Sequence, residues 1–279
     1  MKGHIFILGS QGFVGSHLSR YYKQLGYPIF DSHKFMLRIE NHSHIERIFG
    51  LIQPDYIIHS INYYNLLNRE QIFEGLKTIS NICKQNSIHF IHISCDTIFN
   101  PQINSYSENY EISQNSLKDN NLAELEILLT TLFPADLLSI VRSATLWSEN
   151  METAHKDRNF LARIFYALDS GKLGLNNNHI REILHWKSLA DGLLKIEKPG
   201  IYHFSEKSKL SHYALAIKLA EALGIENWMI HRHLIAEISQ NNSNIILDTQ
   251  VTEKKLGFHF SETEDIINYV LKKQSRKKT

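Results

Sequence analysis

The sequence predicts an α/β protein: a Rossmann-type doubly wound parallel sheet followed by a smaller C-terminal α/β domain. Three observations predict it. Short apolar runs alternate with helical periodicity through the N-terminal half, a glycine-rich turn follows the first run, and the alternation breaks down after about residue 147. The chain has 279 residues, 43% hydrophobic and 21% charged, enough to bury a substantial core. Its 30 Lys+Arg against 29 Asp+Glu leave a formal charge of +1, which supplies no global field for nucleic acid or an anionic membrane. Cys83 and Cys95 are too few for a disulfide framework and suit a reducing, cytoplasmic compartment. No apolar run approaches the roughly 18–20 residues of a membrane span. The first strand begins within a few residues of Met1, leaving no room for a signal peptide.

His4–Leu8 is nearly continuously apolar, as a strand buried on both faces must be. Val14, Leu18, Tyr21, Tyr22 and Leu25 then fall at helical spacing, and Gly26 closes that helix. Pro28–Phe30 reads as the second strand, ended by Asp31. A helix over about Ser43–Ile52 stops before Pro54, and Tyr56–Ile58 is the next strand. Residues 70–85 form a helix, Ile88–Ile93 a strand, Leu122–Leu129 a helix and Leu137–Val141 a strand. Beyond the polar stretch Asn150–Asn159, Phe160–Leu168 is an amphipathic helix and Asn176–Asn178 a turn. Ile201–Phe204 is a strand, and Tyr213–Leu223 a helix closed by Gly224. The expected division is 1–147, the dinucleotide domain, and 148–279, the substrate domain, with the strand near 200–204 returning to the main sheet. The basic C-terminal residues Lys272, Lys273, Arg276, Lys277 and Lys278 read as a solvated tail.

Gly9-Ser10-Gln11-Gly12-Phe13-Val14-Gly15 has the spacing GxxGxxG between the first strand and its helix. Gly9 permits the tight turn, Gly12 lets backbone N–H groups approach a pyrophosphate, and Gly15 allows close packing of helix on strand. The anion then sits at the positive end of the helix dipole. Asp31, about 20 residues on, is placed to accept hydrogen bonds from the adenosine ribose. The implied cofactor is NAD or NADP. Asp31 repels a 2′-phosphate and favours NAD, whereas His33, Lys34 and Arg38 follow closely enough to accommodate that phosphate instead.

With these residues in place, the chain resembles an extended short-chain dehydrogenase/reductase, and within that group the dTDP-4-dehydrorhamnose reductase branch. Beyond the loop, the resemblance rests on Pro54–Ile58, His92–Phe99, Tyr106-Ser107-Glu108, Asn115, Arg142-Ser143, Asn159-Phe160, Gly200–Phe204 and Asn242-Ser243 through Leu256-Gly257. It implies a ketone reduced by hydride from a nicotinamide while a tyrosine, its pKa lowered by a lysine four residues on, donates the proton. The three family positions (Thr or Ser, Tyr, Lys) fall on Cys95, Leu117 and Asn121. Leu117 has no proton to give, Asn121 no charge, and Cys95 only a weak donor. The sole Tyr-x-x-x-Lys, Tyr269 to Lys273, is expected to be coincidental. Tyr106 and Tyr110 are expected to pack or to bond a loop backbone.

The resemblance also places Ser60 and Ile61, with His59 and Asn62, beside the nicotinamide, where relatives carry an asparagine and small residues. The candidate cofactor-binding set is therefore Gly9, Gln11, Gly12, Phe13, Val14, Gly15, Asp31, Arg38, Ser60 and Ile61. The implied ligand is a nucleotide sugar, and the implied assemblies are a homodimer or a complex with a regulatory protein. Three functional readings remain open: a reductase with an atypical proton donor, a silent relative that binds without turnover, and a chain whose cofactor groove is closed by the bulky stretch from His59 to Tyr64. His42-x-His44, His89-x-x-His92 and His231-x-His233 lack companions at ligand spacing, so no metal site is predicted.

Overall fold

A computed structural model describes residues 1–33, 35, 37–61, 67–99, 105–112, 120–149, 159–162, 173–174, 182–207, 211, 213–214, 217–218, 234–235, 244–262, 265 and 268. Leu117, Asn115, Lys34, Lys118, the Asn176–Asn178 turn and Tyr269 with Lys273 lie outside these residues.

Six strands form one sheet: β1 (Ile5–Leu8), β2 (Ile29–Asp31), β3 (Tyr56–His59), β4 (His89–Cys95), β5 (Leu138–Ser143) and β9 (Gly200–Phe204). Their spatial order is β2-β1-β3-β4-β5-β9, and the register runs parallel from Ile7 opposite Asp31 and Leu8 opposite His59 to His59 opposite His92. The protein is thus the mostly parallel, helix-flanked α/β fold that the alternation predicts. The middle strands are buried along their length because helices flank the sheet.

Each N-terminal helix carries its own boundaries. α1 (Phe13–Gln24) ends just before Gly26. α2 (His42–Ile52) is capped by Asn41, whose Oδ1 accepts the His44 N–H at 3.1 Å, which explains the polar His42-Ser43-His44 start. α3 (Arg69–Asn86) opens on a capping box between Asn68 and Gln71. α4 (Asn121–Leu132) is apolar around most of its circumference and runs three residues beyond the expected Leu129. Phe6, Phe49, Leu76, Phe90 and Leu129 are among the core side chains these helices close over the sheet.

Two compact units interleave along the chain: 1–98 with 109–142 and 190–202, and 99–108 with 143–189 and 203–279. In the second, β6 (Thr145–Trp147) pairs with β8 (Ile183–His185), and β7 (Leu173–Gly174) pairs with β10 (Leu234–Ile235), all parallel. α5 (Trp186–Leu193) follows β8, and α6 (Gln250–Leu256) follows the strand-like pairing of Tyr106 with Leu247. These elements have no sequence counterpart above, because the strands have only two or three residues and the helices only 8 and 7, too few for a clear periodicity. Of the expected helices Phe160–Leu168 and Tyr213–Leu223, the described residues 160–162, 213–214 and 217–218 are helical. Among the described residues no helix is long and apolar enough to cross a membrane.

Candidate functional site

The glycine loop is a construction of close approaches. Leu8, the last residue of β1, accepts both the N–H and the hydroxyl of Ser60 at 3.0 Å, which draws the end of β3 against the turn. Gly9 has φ +89°, and a Cβ there would lie 2.7 Å from Ile61 Cγ1 and 2.9 Å from Ser60 Oγ. Gly15 packs α1 so tightly on the loop that a Cβ would overlap the carbonyl of Gly9. Ser60 and Ile61 therefore sit against Gly9 at the end of β3.

Two serines join the loop to the end of β2. The Gly9 N–H donates to Ser32 Oγ at 3.1 Å, and the His33 N–H donates to Ser10 Oγ at 3.2 Å. Gly12 donates its N–H to Gly9 O at 2.9 Å and then serves as N-cap of α1. It offers no capping side chain, and the first turn holds no carboxylate. Gln11 and Gly12 are exposed, Val14 is half-buried, and Phe13 and Gly15 are buried. The outcome is a helix N-terminus presented to solvent with its positive end unscreened by acid. A pyrophosphate fits that cradle, and a bulkier residue at Gly12 would fill it.

Asp31 departs from its expected setting. Its Oδ1 accepts the Ser19 hydroxyl at 2.6 Å, and its Oδ2 is ion-paired to Lys23, both on α1. The residue bonded to the glycine loop is its neighbour Ser32. Arg38 is exposed in the turn before α2.

On the reaction side, Cys95 ends β4 half-buried, with Sγ 2.7 Å from Thr97 Oγ1. Asn121 is the exposed first residue of α4. Its neighbour Asn120 carries the structural load. Asn120 Oδ1 accepts the N–H groups of Leu122 and Ala123 at 3.2 Å, and its Nδ2 donates to Thr97 O at 2.7 Å, tying α4 to the turn after Cys95. An asparagine before an apolar helix was the available signal for that cap.

Two buried polar groupings went unread in the sequence. Glu126 on α4 and Arg142 on β5 form an ion pair at 2.5 Å with both side chains almost wholly buried. Ser94 donates to the same carboxylate at 2.9 Å, and Arg142 Nη1 donates to Tyr110 O at 3.2 Å. His59 and His92 face each other across β3 and β4, Nδ1 to Nδ1 at 2.8 Å. Burial pushes His59 well below the usual imidazole range, with the charge of His92 adding to it, and burial pushes His92 down to about 4.

In the other unit, Tyr106 is fully buried and stacks on Phe99 at 4.2 Å, in keeping with a packing role. Glu108 Oε1 accepts the Thr252 N–H at 2.9 Å and its hydroxyl at 2.6 Å, so a distant carboxylate satisfies the start of α6. Glu206 accepts from His185 N–H at 2.9 Å, Ser188 Oγ at 3.0 Å and Trp147 Nε1 at 3.5 Å, and burial raises its carboxyl to about 8. Beside it, Glu149 holds His185 Nε2 at 2.9 Å and accepts from Trp186 Nε1 at 3.2 Å.

Comparison with known proteins bears on the family and the fold. The chain is 25% identical over 236 residues to the spore coat polysaccharide biosynthesis protein SpsK of Bacillus subtilis (strain 168), covering 80% of each. Its fold is similar to that of a dTDP-4-dehydrorhamnose reductase from Clostridium acetobutylicum ATCC 824, with TM-score 0.76 and 18% identity over 97% of this chain and 99% of that one. It is also similar to the dTDP-4-dehydrorhamnose reductase of Bacillus anthracis str. Ames in complex with NADP, with TM-score 0.74 and 17% identity over 95% and 97%. Residues 1–275 match the RmlD substrate binding domain family, and with nearly the whole chain inside that match, the chain belongs to this family.

Proposed function

We propose that the chain binds a nicotinamide dinucleotide at Gly9–Gly15 and a nucleotide sugar in its C-terminal portion, in nucleotide-sugar metabolism, with the proton-donor motif of the reductases replaced. The observation that carries this reading is the N-terminus of α1, whose cap is a bare glycine and whose first turn lacks acid. A diphosphate is the ligand that such a turn is built to receive. The matching relatives support the sugar class, and the NADP complex of one of them supports the cofactor class.

The dinucleotide, when bound, supplies the hydride that reduces a ketone. The chain's own residues orient it: the loop amides hold the diphosphate, and Ser60 and Ile61 border Gly9. At the reacting end, Cys95 and Thr97 present a thiol and a hydroxyl in mutual contact, while Asn121 supplies no cation. Losing a positioned general acid removes about 10²–10⁴-fold in rate. Titration with NADH and NADPH, followed by absorbance at the nicotinamide band after adding dTDP-4-dehydrorhamnose, tests the proposal. Micromolar binding with slow oxidation of the cofactor is the expected result. Absence of binding at millimolar cofactor would discard it.

Asn121 favours a second reading, in which the chain binds but does not turn over. The exposed, uncharged residue at the start of α4 has no means of lowering a phenol's pKa. Tight cofactor binding with no oxidation of NADH or NADPH is the outcome that selects this reading.

A further inference from the structure

We propose that Lys23 sets the dinucleotide preference of this chain, by neutralising Asp31 and thereby admitting an adenosine 2′-phosphate. The inference rests on the dinucleotide reading of the glycine loop and adds to it the class of dinucleotide.

An acid at the end of the second strand ordinarily faces the adenosine ribose. There it accepts from the ribose hydroxyls and excludes a 2′-phosphate by charge. Asp31 occupies that place, opposite Ile7 at the end of β2. Both of its carboxylate oxygens are engaged from α1: Oδ1 by the Ser19 hydroxyl at 2.6 Å and Oδ2 by the Lys23 ammonium. Ser19 and Lys23 are four residues apart, so they lie on one helical face one turn apart and grip the carboxylate together. Lys23 is half-exposed, while the carboxylate is 17% accessible. The acid is thus bound to α1, and its charge is balanced by the ammonium of Lys23.

The groups at the loop are of a different kind. Ser32 Oγ accepts the Gly9 N–H and Ser10 Oγ accepts the His33 N–H, with the two hydroxyls 3.4 Å apart. His33 and Arg38 are exposed just beyond them. A hydroxyl-lined end of β2, followed in the chain by an exposed imidazole and an exposed guanidinium and with Asp31 neutralised, suits a phosphate better than a bare ribose. Lys23 acts through Asp31. It is a positioning residue for the specificity of the site.

The test is binding, read by fluorescence titration with NADPH and NADH and by calorimetry with 2′,5′-ADP and 5′-ADP. Wild-type protein is expected to favour the 2′-phosphorylated member of each pair. Lys23→Met leaves the Asp31 charge uncompensated and should move the NADPH-to-NADH affinity ratio about tenfold toward NADH, equivalent to about 1.4 kcal/mol. Asp31→Asn should move it the other way, and the double variant should return near the wild-type ratio, because the charges vanish as a pair. Circular dichroism of each variant separates a changed site from a lost fold. Measurable binding of both dinucleotides with a ratio unmoved by Lys23→Met overturns this inference and leaves the dinucleotide site standing. Failure of all four nucleotides to bind wild-type protein overturns the dinucleotide reading itself.

Discussion

His59 and His92 meet Nδ1 to Nδ1 at 2.8 Å between adjacent strands, each ring buried, so one imidazole donates and the other accepts. Both are held neutral by burial, and His92 Nε2 has no hydrogen-bond partner among the described residues. His59 lies immediately before Ser60 in the chain, and His92 three residues before Cys95.

Acid should therefore weaken this protein through the pair. The unfolded chain takes up protons below about pH 6.5, whereas folded His92 resists protonation until about 4. Stability is complete above the unfolded value and declines as pH falls between the two, by about 3 kcal/mol for His92. Urea midpoints between pH 4 and 7 should show this slope, and a double His59→Phe, His92→Phe variant should flatten it. An unchanged slope would remove the pair from the account.

Glu206 predicts the opposite trend on the alkaline side. Its folded carboxyl keeps a proton until about 8, while the unfolded carboxyl loses it near the model-compound value of 4.5. The raised folded pKa gives stability that is whole below the unfolded value and is lost as pH rises toward 8. Glu206→Gln mimics the protonated carboxyl and should hold its melting temperature from pH 7 to 8, above the range of the histidine pair, where wild type declines. A parallel decline in both proteins would contradict the buried-acid assignment.

Gly15 and Gly12 should fail in different ways. A Cβ at Gly15 overlaps the Gly9 carbonyl, so Gly15→Ala must push α1 off the loop at a cost of about 3 kcal/mol or more. Gly12 is exposed, and its Cβ would lie 3.3 Å from Gly9 O, so Gly12→Trp should fold yet bind no dinucleotide. Thermal melts beside NADH titration distinguish the two, and wild-type affinity in Gly12→Trp would refute the loop assignment.

The Glu126–Arg142 pair should be costly to break singly. Glu126→Gln leaves a buried guanidinium without its counter-charge, a loss of about 3–5 kcal/mol. Glu126→Met with Arg142→Met should recover much of that loss, because desolvating two charges offsets most of their attraction. Urea denaturation of the three variants reads this directly, and equal losses in the single and double variants would argue against a coupled pair.

How much was legible depended on how local the signal was. Gly9, Gly12 and Gly15 announce themselves because turn, cap and close approach all act within seven residues. Asp31 was visible as an acid at the end of a strand, but its partners were not. Ser19 and Lys23 lie on a helix whose rotation against β2 is set by Gly15 and the packing of Leu18 and Tyr22. His59 and His92 become neighbours through strand register, and Glu126 and Arg142 through the seating of α4 on β5, neither of which a linear pattern encodes. Asn120 was readable and was passed over for Asn121, the motif position beside it. The short β6 and β8, and α6 with its exposed Val251, carry too few residues for periodicity to speak.

The interleaving of the two units bears on how the chain is made. The Met1 ammonium donates to Leu194 O at 2.6 Å, and the Tyr22 hydroxyl donates to Ala190 O at 2.8 Å, so these residues are completed by others 193 and 168 positions later. The sheet's last strand, β9, takes its place beside β5 only after residue 204 has been translated. Until then the nascent chain carries an open strand edge next to β5, the kind of surface that pairs with strangers. A gene fragment ending at residue 147 would keep that edge permanently, and the ribosome-bound chain must hold it unpaired for as long as elongation takes.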